Sequence, residues 1–336
     1  MSSVKGPLVP SEHMDHSLVP HDDLQASAPD VRLGLSRAGV RGVSKAIRLS
    51  YGGSEKLVAA DIECAVDLDP AQKGVHMSRF PELFEEAIEE VVIGEALLVE
   101  QLAEHIAAHI VARQQALRAE VKIVARYPLE RETPVSKLAT RDLFSIIGIA
   151  AASERGVRRV VGVEQTGWNA CPCAQGLVRN RASERLLEAG FDGEEIERIF
   201  ELVPLATHNQ RGIGTLLVGT HAQLNAEDLA GIVERSMSAP VYELLKRPDE
   251  LFVVEHAHLQ PRFVEDSVRL ALKETLDTYD GLADDDFVLS RQVNLETIHN
   301  HDVVAEREGT VGELRGELAD GVHRTHDTTL ASWLRA

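Results

Sequence analysis

Alternation of apolar and polar positions dominates the first part of the chain. Val58, Ala60, Ile62, Cys64 and Val66 recur at every second residue, the period of a strand with one buried face. They predict a strand over 57–67, and another over 32–50 pairs with it across the turn signal Tyr51-Gly52-Gly53-Ser54. Helical spacing takes over across 81–93 and 95–118, divided at Gly94. Strand alternation returns over 120–127 through Val121, Ile123 and Ala125. Residues 134–152 fit neither period cleanly, and 143–152 reads equally as strand or helix.

The second half follows the same order. Strands are expected over 157–167 and 212–221, separated by an insert with helices near 182–187 and 193–202. A helix capped by Asn225 carries Leu229, Val233, Met237, Val241 and Leu245 at i+4 spacing, with a kink expected at Pro240. Pro261 is expected at the first position of another, which carries Val264, Val268, Ala271, Leu272 and Leu276. Strands over 287–293 and 303–308 close the pattern. The fold class is therefore α+β: two tandem ββααββ modules over 31–152 and 153–310, whose antiparallel sheets are backed by helix pairs. A leader over 1–30 and a peripheral tail over 311–336 flank them. Free sheet edges predict a homo-oligomer, a dimer or a dimer of dimers.

The formal charge of −19 argues against a nucleic-acid partner, which would demand a basic surface. Eight Lys against 27 Arg in so acidic a chain suits solvation at high salt. No stretch of 18 apolar residues occurs, so no membrane span is expected, and residues 1–30 lack the features of a signal peptide. A cytoplasmic location is the expectation. Cys64, Cys171 and Cys173 are too few for a disulfide scaffold and suit metal binding or catalysis better.

Tracing the second half as an alternating path places four sequence-distant groups at one end of the layer. Cys171 follows the first strand, His208 precedes the second, Glu250 ends a helix and His299 follows the third strand. Thiolate, imidazole and carboxylate together suit Zn²⁺ or Fe²⁺. Each also has a plain structural reading: a buried thiol, a helix stop or a solvated turn. By the same alternation, the loop holding Lys73, His76 and Arg79 falls at the opposite end, where it reaches a site only across a module or subunit boundary.

At these residues the chain resembles the type IB GTP cyclohydrolases of the tunnelling-fold superfamily. The matching stretches are Gln72-Lys73-Gly74-Val75-His76-Met77-Ser78-Arg79-Phe80, Cys171-Pro172-Cys173, His208-Asn209-Gln210-Arg211, Leu244-Leu245-Lys246-Arg247-Pro248-Asp249-Glu250, Phe263-Val264-Glu265-Asp266 with Arg269, and Ile298-His299-Asn300-His301. They run in family order over about 30–310. The resemblance implies a tunnelling fold and one Fe²⁺ or Zn²⁺ per subunit, held by Cys171, His208, Glu250 and His299. It also implies GTP as substrate, with Glu265 anchoring the guanine edge. Bacterial members follow Cys-Pro-Cys with Ser-Lys; here Ala174-Gln175 stands instead, closer to the archaeal branch. That branch forms 7,8-dihydroneopterin 2′,3′-cyclic phosphate and prefers Fe²⁺; the bacterial product keeps its triphosphate. The implied pathways are folate or methanopterin synthesis.

The chemistry asks for a nucleophile at C8 of the purine, a water activated by the metal that Cys171 helps to hold, and a proton donor for N7, for which His208 and His301 are the candidates. Lys73, Arg79, Arg211 and Lys246, with His76, are the groups available to the phosphates. Two rivals remain at this stage. One is a metal-free, NADPH-dependent nitrile reductase on the same fold. The other is a non-catalytic protein with a closed structural metal site.

Overall fold

The computed structural model describes residues 25, 27–51, 54–93, 98–114, 116–323 and 327–336. Most of the expected leader, 1–24 and 26, lies outside the described residues, as do Gly52, Gly53 and Gly94. The chain opens with β1 (Leu35–Tyr51), β2 (Ser54–Leu68), α1 (Arg79–Ile93), α2 (Val99–Gln114), β3 (Arg118–Glu132) and β4 (Ala139–Ser153). It continues with β5 (Gly156–Ala170), α3 (Pro172–Glu188), α4 (Gly193–Leu202), β6 (Asn209–Gly219), α5 (Ala226–Ser236) and the two-residue β7 (Ala239–Pro240). Then come α6 (Arg247–Leu259), α7 (Val264–Thr278), β8 (Phe287–Leu295), β9 (Val303–Thr310), α8 (Val311–Asp320) and α9 (Leu330–Trp333).

Among the described residues the strands form one antiparallel sheet in the order β1-β2-β3-β4-β5-β6-β8-β9, with β7 pairing β5. The hairpin that pairs Ser153 with Gly156 fuses the two ββααββ runs. Gly156 takes φ 125°, a backbone state that L side chains rarely adopt. Sequence-adjacent strands alternate in direction, so loops gather at two ends. The ends of β5 and β8 and the starts of β6 and β9 share one, termed the upper end. Val66 pairs with Ala119 at the start of β3, and Arg118 pairs with Ser153, so β2 finishes at the lower end.

Helices α1, α2, α5 and α7 pack on one face, over a core that includes Ile62, Phe84, Ile106, Ile123, Phe144, Leu229 and Val268. The other face carries a second cluster of Ile147, Ile149, Val160, Leu217, Phe287 and Trp333. Because β4 is buried on both faces, it shows a continuous apolar run instead of alternation, which explains its ambiguous periodicity. The tail expected to be peripheral supplies part of both layers. Val311 and Leu314 enter the first core, and Trp333, 5% exposed, covers the second face.

Four helix expectations need correction. Helix α5 stops at Ser236 and does not kink at Pro240, because the Ala239–Pro240 segment turns extended and pairs with Gly167 and Trp168. Arg247-Pro248-Asp249-Glu250 begins α6 instead of ending a helix; Pro248 sits in its first turn, where a missing N–H costs nothing. Helix α7 starts at Val264, capped at Phe263, and Pro261 precedes it. Helix α2 also stops at Gln114, short of the expected Arg118, which begins β3. No described helix is long and apolar enough to cross a membrane.

Two polar contacts tie the runs together near the upper end. Arg131 of β3 reaches Glu234 of α5 at 2.8 Å, and burial pushes the Glu234 carboxyl up against the pull of Arg131. Asp249 is fully buried and accepts from Val135 N (2.9 Å), Ser136 N (2.8 Å), Ser136 Oγ (2.5 Å) and Lys246 N (3.0 Å). Burial works to raise its pKa, but these donors outweigh it and hold the carboxyl well below the ordinary range. A depressed folded pKa stabilises above the unfolded value of about 3.9, and that contribution fades as pH falls below it. Asp249→Asn keeps the shape but turns an amide towards donors. Thermal melts should place its Tm at least about 4 °C below the parent at pH 7. The gap should hold above about pH 5 and narrow below about pH 4; a gap that widens in acid would refute the assignment.

Candidate active site

Strand β5 ends at Ala170, and Cys171 caps α3 with extended backbone (φ −79°, ψ 117°). Its Sγ accepts from Ala174 N at 3.5 Å, so the sulfur faces the positive end of the helix. Pro172 opens the helix with the fixed φ that a first position favours. Helix α3 runs far beyond the expected 182–187 and has no buried residue, so no apolar periodicity marks it. Cys171 is half-buried and Cys173 exposed. Cys64 lies in the core, where burial pushes its thiol up to about 12 and removes it from chemistry at neutral pH.

The α3–α4 excursion returns to its own origin. Cys171 N donates to His208 O at 3.1 Å, and Thr207 Oγ1 donates to Cys171 O at 2.9 Å. This extends the β5–β6 ladder one step past the Ala170–Asn209 pair. The His208 imidazole is 15% exposed, and its buried Nδ1 has no hydrogen-bond partner. Glu296 Oε2 stands 3.8 Å from that nitrogen, on a side chain only 6% exposed. Sequence reasoning missed Glu296; its one signal was a place just past β8, three residues before His299.

Glu250 is exposed in the first turn of α6 and lines a cleft of about 500 Å³ with Trp168, Asn209, Arg211, Tyr242 and Thr297. Thr297 Oγ1 donates to Asn209 O (3.1 Å) and Trp168 Nε1 to Asn209 Oδ1 (2.9 Å), which fixes the cleft wall. Lys246, exposed, caps the start of α6. His299 and His301 stack on each other in the exposed loop after β8, with centroids 5.2 Å apart and planes 18° apart. His256 stacks on Phe252 at 5.4 Å. His258 is buried edge-on to Trp168, and its Nδ1 bonds Val254 O at 2.8 Å.

Not everything converges. Among the described residues, no three His, Cys, Asp or Glu side chains close on one point. Glu265 sits in the first turn of α7, in a different groove of about 290 Å³, with Arg269, Lys273 and Arg307. The start of α7 is nonetheless held to the upper end, because Arg262 N donates to Ala170 O at 3.0 Å. The loop carrying Lys73, His76 and Arg79 joins β2 to α1 at the lower end, away from Cys171 within one chain. The donor chemistry of the upper end suits a transition metal. A thiol and an imidazole lie on hydrogen-bonded residues, and the imidazole keeps an unpaired buried nitrogen beside a carboxylate.

Comparison with known proteins bears on the fold and the family. A hyper-thermostable uricase mutant has a TM-score of 0.50 at 9% identity, covering 88% of this chain and 95% of that one; the likeness is one of tunnelling fold. GTP cyclohydrolase MptA of Methanococcus aeolicus is 41% identical over 305 residues, covering 88% of this chain and 99% of that protein. GTP cyclohydrolase MptA of Haloferax volcanii is 40% identical over 309 residues, covering 91% and 99%. The family described as type I GTP cyclohydrolase folE2 matches residues 22–305. The chain is thus an enzyme that belongs to the type I GTP cyclohydrolase family.

Proposed function

We propose that this enzyme hydrolyses the imidazole ring of GTP, releases C8 as formate and yields a 7,8-dihydroneopterin derivative for folate or methanopterin synthesis. The observation that carries the reading is the meeting of Cys171 and His208 beside the Glu250 cleft. In this reading Cys171, His208, Glu250 and His299 would hold one Fe²⁺ or Zn²⁺ per subunit. When bound, the ion supplies the Lewis acidity that makes water nucleophilic near neutral pH. The Glu296 carboxylate, 3.8 Å from His208 Nδ1, electrostatically favours the tautomer with its proton on Nδ1, which leaves Nε2 free to bind. His301 delivers a proton to N7 of the purine as water adds to C8. The new C8 hydroxyl gives up its proton as C8–N9 breaks and N9 takes one, leaving a formyl group on N7. A second water cleaves that amide and releases formate; the ribose then rearranges, and its carbonyl condenses with the freed N7 amine, with loss of water, to close the pterin ring. Arg211 and Lys246 meet the phosphates, and Glu265 accepts from N1–H and the 2-amino group of guanine.

Glu265 and the loop with Lys73, His76 and Arg79 lie outside the Glu250 cleft of their own chain. A second copy supplies them in this reading, through a dimer or dimer of dimers joined along the free edges β1 and β9. The product proposed is the 2′,3′-cyclic phosphate, formed as the 2′-hydroxyl attacks the α-phosphorus and pyrophosphate leaves. Incubation with GTP and Fe²⁺ or Zn²⁺, followed by mass identification of the pterin, tests reaction and product together. Recovery of unopened GTP with either metal overturns the reading.

Three measurements test the roles. Cys171→Ala should lose tight metal binding and GTP opening, whereas Cys173→Ala, altering an exposed thiol, should keep both. Glu265→Gln places a donor against a guanine donor and should lower kcat/KM about 100-fold or more, with metal content unchanged. Normal turnover would make Glu265 a surface acid. Light scattering at micromolar concentration should find a dimer or larger, and a fully active monomer would exclude a shared site.

A further inference from the structure

We propose that Gln175 is a positioning residue that clamps together the three segments carrying Cys171, His208 and Glu250. It lies in the first turn of α3, where its backbone N donates to Cys171 O at 3.2 Å. Its side-chain Nε2 donates to Leu205 O at 2.8 Å and to His258 O at 2.7 Å. Leu205 belongs to the segment that returns to His208, and His258 lies in the last turn of α6, whose first turn holds Glu250. Both partners are carbonyl oxygens, so only the NH₂ end of the carboxamide satisfies the site, and both of its protons are used. The His258 carbonyl is among those at the end of α6 that have no partner within the helix, and Gln175 supplies the donor. Helix α3 buries no residue of its own, so apolar packing does little to hold its start against the body. Polar contacts do that work: the Gln175 clamp joins the Cys171–His208 and Thr207–Cys171 hydrogen bonds. Half-buried and with no free donor, Gln175 acts through its neighbours and not on a phosphate.

Consequences for metal binding rest on the reading of Cys171 and His208 given above; the mechanical clamp does not. Gln175→Glu keeps the shape and sets a carboxylate against two carbonyls, while Gln175→Lys keeps the donors. Hydrogen exchange on the full-length, metal-free protein reads the clamp directly. In Gln175→Glu, the amides of 171–175 and 205–208 should exchange about 10-fold faster, with β1 and β2 unchanged. Zn²⁺ affinity, measured by chelator competition, should fall about 10-fold, while KM for GTP in the metal-saturated enzyme stays within about 2-fold. Gln175→Lys should recover most of both losses. Faster exchange everywhere in parallel, or no local change, overturns the clamp. Local loosening with unaltered Zn²⁺ affinity overturns its positioning role. If the parent protein binds no Zn²⁺ and opens no GTP, the functional reading fails, and the exchange pattern alone decides the clamp.

Discussion

The hydrogen bond from Cys171 N to His208 O is the contact on which the upper end depends. Strands β5 and β6 run antiparallel to their last pair, Ala170 with Asn209, and this bond carries the ladder one step into the loops. A chain that leaves a sheet for two helices has no general reason to return to its point of departure. Here the ladder obliges it to, because unpaired backbone groups at a buried strand end are costly. The backbones of the two chemically richest residues of the region are joined as a result.

Around this point the protein uses polar groups where most cores use apolar ones. Asn169 is fully buried and accepts from Ser238 N at 3.0 Å while donating to Asn294 Oδ1 at 2.9 Å. Gln292 donates to the same Asn294 oxygen at 3.1 Å. These bonds join β5, β8 and the segment after α5 just beneath Cys171. Satisfied buried networks fix one arrangement more sharply than apolar packing does, since any slip leaves a donor or acceptor unpaired. The polar layer is suited to holding the ends of β5 and β8 and the segment after α5 in register.

The sheet also separates the molecule into two ends. Strand direction sends the loop between β2 and α1 to the lower end and the Cys171 and His208 loops to the upper. No side-chain rotation spans that separation, so within one chain Lys73, His76 and Arg79 stay apart from the Cys171 loop.

Periodicity in the sequence was enough for the elements with a single buried face. Strands β2 and β3 alternate because one side of each meets α1 and α2, and the motif residues Cys171, His208 and His299 could be assigned to one end from strand alternation alone. Other elements carry no such imprint. Helix α3 fully buries no residue and therefore carries no apolar stripe, and β4 is covered on both faces over 144–152 and is therefore almost continuously apolar there. Pro248 marks the start of α6, not a stop, because its meaning depends on where the preceding segment goes, and that is set by β7 pairing with β5. Trp333 joins the core only because the second face of the sheet needs a cover. Glu296 beside His208, the Asp249 link and the Gln175 clamp are contacts between residues far apart in sequence. Local pattern records which face of an element is buried; which distant groups meet across a turn or a helix end is decided by packing, and only the tertiary structure holds it.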